Sequence, residues 1–101
     1  MADFLVTIDF SRVIDLPPEL RASLVEKERS KGLALIEAGT IKSIWDLVGE
    51  KSNVGIWSTA GADELQSVLQ SLPIFPYAHF EVRALVTHPL VTDDYSFFDK
   101  G

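Results

Sequence analysis

Residues 41–58, Ile-Lys-Ser-Ile-Trp-Asp-Leu-Val-Gly-Glu-Lys-Ser-Asn-Val-Gly-Ile-Trp-Ser, decide the fold. Ile41 to Val48 is rich in β-branched and aromatic side chains, which suit a pleated, half-buried strand. Gly49-Glu50-Lys51-Ser52 reads as a hairpin connection, and about Asn53 to Ser58 forms the return strand. A connection this short joins antiparallel strands.

Outward from this hairpin, each side carries a helix and then a strand. On the N-terminal side, about Pro18 to Ala38 predicts a helix that Gly39 ends, and Asp15-Leu16-Pro17-Pro18 separates it from a strand over Phe4 to Phe10. On the C-terminal side, Leu65, Val68, Leu69 and Leu72 recur at helical spacing over about Ala62 to Ser71, until Pro73 and Pro76 stop the helix. A fourth strand is expected near His79 to Thr87. On 101 residues the order βαββαβ predicts an α+β, ferredoxin-like architecture: one antiparallel sheet with two helices on one face.

The other face of such a sheet needs a cover. Strand alternation sends Trp45 and Trp57 to one side, together with Phe4 and Val6 or their neighbours, so a homo-oligomer through the sheet is expected. Residues 1–89 make one domain. The tail, residues 90–101, carries Asp93, Asp94, Tyr95, Phe97, Phe98 and Asp99, and has two readings: it docks on a neighbouring subunit, or it frays.

Composition narrows the function. A net charge of −6 without a dense Lys/Arg cluster argues against nucleic acid as a partner. The chain has no cysteine, hence no disulfide and no thiolate zinc site. Neither a signal core nor an apolar run of about 20 residues is present, so the expectation is a cytoplasmic protein without a membrane partner. His79 and His88 are too few and too far apart for a metal site, and His88-Pro89 reads as a turn. Nucleophile-elbow and phosphate-cradling glycine motifs are both missing.

On a helical wheel of about 100° per residue, Leu20, Leu24, Leu35 and Ile36 define the arc of the first helix that faces the sheet, and Glu28 falls inside it. Lys31 lies one turn further along the same side. A carboxylate aimed at a core is costly unless it is paired, hydrated or lines a cavity. Two readings follow: an i,i+3 pair with Lys31, or a partly desolvated carboxylate with a raised pKa, suited to taking and returning a proton. Trp45 and Asn53 sit where they would offer aromatic and polar groups to a small ligand. Burial favours a core role for Trp45, and turn chemistry also accounts for Asn53.

Leu72-Pro73-Ile74-Phe75-Pro76-Tyr77, followed by Glu81-Val82 and His88-Pro89, resembles the Leu-Pro-Leu-Phe-Pro-Tyr, Glu-Val and His-Pro pattern of the bacterial muconolactone isomerase family. The similarity extends without gaps through Gly39-Thr40, Trp45, Gly49 and Asn53 back to Glu28, Pro18 and Asp15, covering about Phe4 to Pro89. It implies a ferredoxin-like subunit in a large homo-oligomer, a decamer built from dimers, that needs no cofactor or metal. The implied reaction moves a double bond within an unsaturated lactone: a base removes the C4 proton and a proton returns two carbons away. Glu28 is then the expected catalytic residue, with Lys31, Trp45, Lys51 and Asn53 as substrate-binding candidates. The family pattern places Arg after the second-strand Trp and His-Tyr after the following Gly, where this chain has Asp46, Glu50 and Lys51. Those exchanges weaken the hold on a substrate carboxylate unless Lys51 or another cation compensates. The competing expectation is a non-catalytic small-molecule-binding or structural oligomer on the same scaffold.

Overall fold

The computed structural model describes residues 1–93. Strands β1 (Ala2–Asp9), β2 (Ile41–Asp46), β3 (Ser52–Thr59) and β4 (His79–Leu85) form one antiparallel sheet in the order β2-β3-β1-β4. Helix α1 (Ser11–Ile14) follows β1, α2 (Pro18–Glu37) leads into the hairpin, and α3 (Ala62–Gln70) and a 3-10 turn (Phe75–Tyr77) precede β4. This is the expected ferredoxin-like order with a short extra helix, α1. Of the C-terminal tail, only Leu90 to Asp93 is described, at the end of α4 (Pro89–Thr92), so its docking lies outside the described residues.

Local chemistry accounts for the boundaries. Pro18 opens α2 where a missing N–H costs nothing, and Gly39, at φ 81°, takes the left-handed conformation that turns the chain into β2. Gly49 does the same in the hairpin, at φ 78°. In α3, Asp63 and Glu64 occupy the first turn, favourable against the helix dipole, and the Glu64 carboxylate accepts a hydrogen bond from the Ala60 N–H.

The core lies between the helices and one sheet face. Phe4, Val6 and Ile8 of β1 are buried there, with Trp57 opposite Phe4 and Ile41 opposite Trp57. Leu24 and Leu35 of α2, and Leu65 and Leu69 of α3, close over them. Each such side chain contributes roughly 1.5–3 kcal/mol by leaving water.

Two expectations about this face are corrected. Trp57, Phe4 and Val6 belong under the helices and not on the open face. Trp45 is not core: it is 55% exposed. The cause is a β-bulge between Ile41 and Ser43, where β2 advances two residues while β3 advances one, from Trp57 to Ile56. One extra residue reverses every later side chain. Ile44 therefore points to the helix side opposite Gly55, and Trp45 goes to the open face opposite Val54, the face that also carries Leu5 and Ile56.

Candidate active site

Helix α2 does not sit flush on the sheet. Its stripe of Leu24, Glu28 and Leu35 faces inward, but only the leucines are buried, while Leu20 and Ile36, expected on the same arc, are half-exposed. Beside Glu28 the helix leaves a cavity of about 320 Å³. Val25, Glu28, Arg29 and Gly32 of α2 form one wall, and Ile8, Ile41, Ile44, Asn53 and Trp57 of the sheet form the floor. Phe10, Val13, Leu72 and Ile74 complete the lining. Gly32 borders open space, since a Cβ there would meet no atom within 4 Å.

The Glu28 carboxylate is half-buried and accepts a hydrogen bond from the Ile74 main-chain N–H at 3.1 Å. That N–H is free to reach α2 because the segment after α3 turns on itself, with Phe75 N–H bonded to the Leu72 carbonyl and Tyr77 N–H to the Ile74 carbonyl. Burial pushes the Glu28 carboxyl above its ordinary value; the Ile74 N–H and the charge of Lys31 offset part of that rise. An apolar pocket with a few convergent polar groups and a perturbed carboxyl is the usual form of a small-molecule site.

Of the residues singled out from the sequence, Glu28 and Asn53 line this cavity together. Lys31, Trp45 and Lys51 do not. Lys31 acts on Glu28 only through its charge, Trp45 lies on the opposite face of the sheet, and Lys51 stands in the hairpin, where its carbonyl accepts the Phe10 N–H. The i,i+3 pairing of Glu28 with Lys31 is not formed, for no ion pair joins them among the described residues.

Arg29, Trp57 and the Ile74 N–H were not singled out. On the wheel Arg29 stands about 100° from Glu28, on the flank opposite Lys31, and nothing in the spacing says which flank opens on a cavity. Among the described residues Arg29 is the only cation lining it, and it has no ion-pair partner there. Two further polar atoms of the floor, Trp57 Nε1 and Asn53 Oδ1, are buried without a hydrogen-bond partner. Such atoms cost about 1–3 kcal/mol each, a cost that polar atoms of a bound ligand would offset.

Comparison with known proteins follows the same line. The family model described as muconolactone delta-isomerase matches residues 2–90. Muconolactone Delta-isomerase of Rhodococcus opacus is 38% identical over 88 residues, covering 87% of this chain and 95% of its own. The enzyme of that name from Acinetobacter baylyi is 33% identical, covering 90% and 96%. A crystal structure of muconolactone isomerase superimposes with a TM-score of 0.80 at 28% identity, over 86% of this chain and 91% of that one.

Proposed function

The chain belongs to the muconolactone delta-isomerase family, and from that membership we propose that it is a cofactor-independent isomerase that shifts the double bond of muconolactone or a closely related unsaturated lactone. The observation that carries the mechanism is the half-buried Glu28 carboxylate in the wall of an otherwise apolar cavity. Glu28 takes the C4 proton of the lactone. The C–H electron pair spreads through the ring onto the carbonyl oxygen, giving a dienolate, and the new Glu28 carboxylic acid returns the proton to C2. The C2=C3 double bond becomes C3=C4, and the carboxylate is regenerated without any net consumption.

Burial suits both halves of this cycle. A raised pKa makes Glu28 a stronger base than an exposed carboxylate, while leaving its acid competent to reprotonate the carbanion. Arg29, next to Glu28 and without an ion-pair partner among the described residues, is the cation that would hold the substrate's carboxymethyl group, which branches from the same C4 that loses the proton. It takes the part considered for Lys31 and Lys51, and compensates for Asp46 and Glu50 near the hairpin.

The assay is direct: the chain, freed of metal and cofactor, is expected to isomerise muconolactone, followed by ultraviolet absorbance. Because the base must be ionised, the acid limb of kcat should lie above 4.5, the ordinary carboxyl value, in the direction that burial dictates. Lactone binding without turnover would instead support the non-catalytic reading.

Assembly completes the proposal. Leu5, Trp45, Val54 and Ile56 put apolar surface on the sheet face opposite the helices. Dimers closing over that face, assembled into a decamer in the cytoplasm, would cover it. Sedimentation velocity giving a stable monomer would rule this out.

A further inference from the structure

On β3, Asn53, Gly55 and Trp57 share the core face, opposite Ile8, Val6 and Phe4 in turn. Gly55 has no side chain to stand between the other two, and the Trp57 indole uses that space. Its Nε1 lies 3.3 Å from where a Gly55 Cβ would be, so the N–H edge reaches across Gly55 towards the Asn53 side of the cavity. Trp57 is 1% exposed, its N–H has no acceptor among the described residues, and the other unpartnered buried polar atom on the cavity floor is the Asn53 amide oxygen.

Resting on the isomerase reading above, we infer that the Trp57 indole N–H donates to the lactone carbonyl oxygen and stabilises the charge that gathers there when Glu28 removes the C4 proton. The polar inventory of the cavity leads to this assignment. Among the described residues its lining offers four polar side chains: Glu28, Arg29, Asn53 and Trp57. Glu28 is the base and Arg29 the partner of the carboxymethyl group. The carbonyl oxygen, the substrate oxygen that gains charge in the dienolate, must then be met from the sheet floor. An indole N–H is a donor only, and with the carboxymethyl group held by Arg29 the carbonyl oxygen is the acceptor left for it. The Asn53 amide oxygen is an acceptor, so as it stands it does not compete with Trp57 for that role. A donor held in place and shielded from water acts most strongly where charge develops in the transition state.

Trp57→Phe keeps an aromatic ring in the core and deletes the N–H. It is expected to lower kcat for muconolactone about 100-fold with KM changed no more than about threefold, the size and pattern of losing one oxyanion donor. A merely structural role would not reproduce that split, nor a second readout. In the Glu28→Gln protein, expected to bind muconolactone while turning it over about 1,000-fold more slowly, one of the two indole N–H proton resonances should move downfield as the lactone is added. That resonance is the one absent from Trp57→Phe or, should that variant not fold, the one retained in Trp45→Phe. Retention of kcat in a folded Trp57→Phe, or a Trp57 resonance that stays put while the lactone saturates the protein, overturns the inference. Failure of the wild-type chain to turn over muconolactone would overturn the isomerase reading instead, and the resonance shift would still test the contact.

Discussion

Glu28→Gln is expected to lower kcat about 1,000-fold, within the range for a positioned proton-transfer group, while making the protein more stable. Glutamine matches glutamate in shape and keeps an oxygen to accept the Ile74 N–H, so the wall of the cavity should not move. What disappears is the basic pair proposed to take the C4 proton. The stability change follows from the sign of the pKa shift. The Glu28 carboxyl is raised in the folded chain, so between its ordinary value and its raised value the native state binds more proton than the unfolded state. Native stability therefore falls as pH rises through that window, and above it the full cost of the half-buried charge is present. A neutral glutamine removes that cost. Melting curves of the two proteins should diverge at neutral pH, with Glu28→Gln higher, and converge below 4.5, the ordinary carboxyl value. A variant that is inactive but no more stable would mean that Glu28 is not held against its own hydration; unchanged turnover would remove it from the mechanism.

Arg29→Gln is expected to raise KM for muconolactone by roughly 10- to 100-fold with little change in kcat, as befits the loss of a hydrogen-bonded charge worth about 1.5–3 kcal/mol in ground and transition state alike. The side chain lines the cavity one residue from Glu28, so an anion held by it sits close to the carbon being deprotonated. The control is the methyl ester of muconolactone, in which the carboxylate is masked. Wild type should handle the ester as poorly as Arg29→Gln handles the acid, and the substitution should then make no further difference. An equal loss on acid and ester would instead mean that Arg29 supports the cavity and not the carboxylate.

Both experiments bear on how much of the site could be read from the chain alone. Glu28 was legible because a helix wheel needs only the 3.6-residue repeat to show a carboxylate inside an apolar arc. Arg29 was not, because the wheel has no preferred flank: Lys31 and Arg29 stand on either side of Glu28, and the roll of α2 on the sheet decides between them. Trp45 misled for a related reason. Period-two alternation is reliable only while the register holds, and the bulge between Ile41 and Ser43 turned Trp45 to the open face and Ile44 to the cavity. No residue in Ile41-Lys42-Ser43 announces a bulge, since it arises from how β2 meets β3. Trp57 was visible as a bulky strand residue; that its N–H lies unpartnered beside Asn53 depends on Gly55 two residues earlier and on the strands either side.

Local chemistry by itself therefore determined the βαββαβ order, since the hairpin at 41–58, the prolines at 17–18 and 73–76 and the glycine at 39 act on backbone within a few residues of themselves. It also placed Glu28 on the buried side of its helix. Only the tertiary structure decided what shares the cavity with Glu28: an N–H from Ile74, 46 positions along the chain, Arg29 in the lining where Lys31 is not, and the floor of Asn53 and Trp57. Those contacts come from the roll of one helix and a single-residue slip of one strand, motions that exchange whole faces while leaving every local preference satisfied.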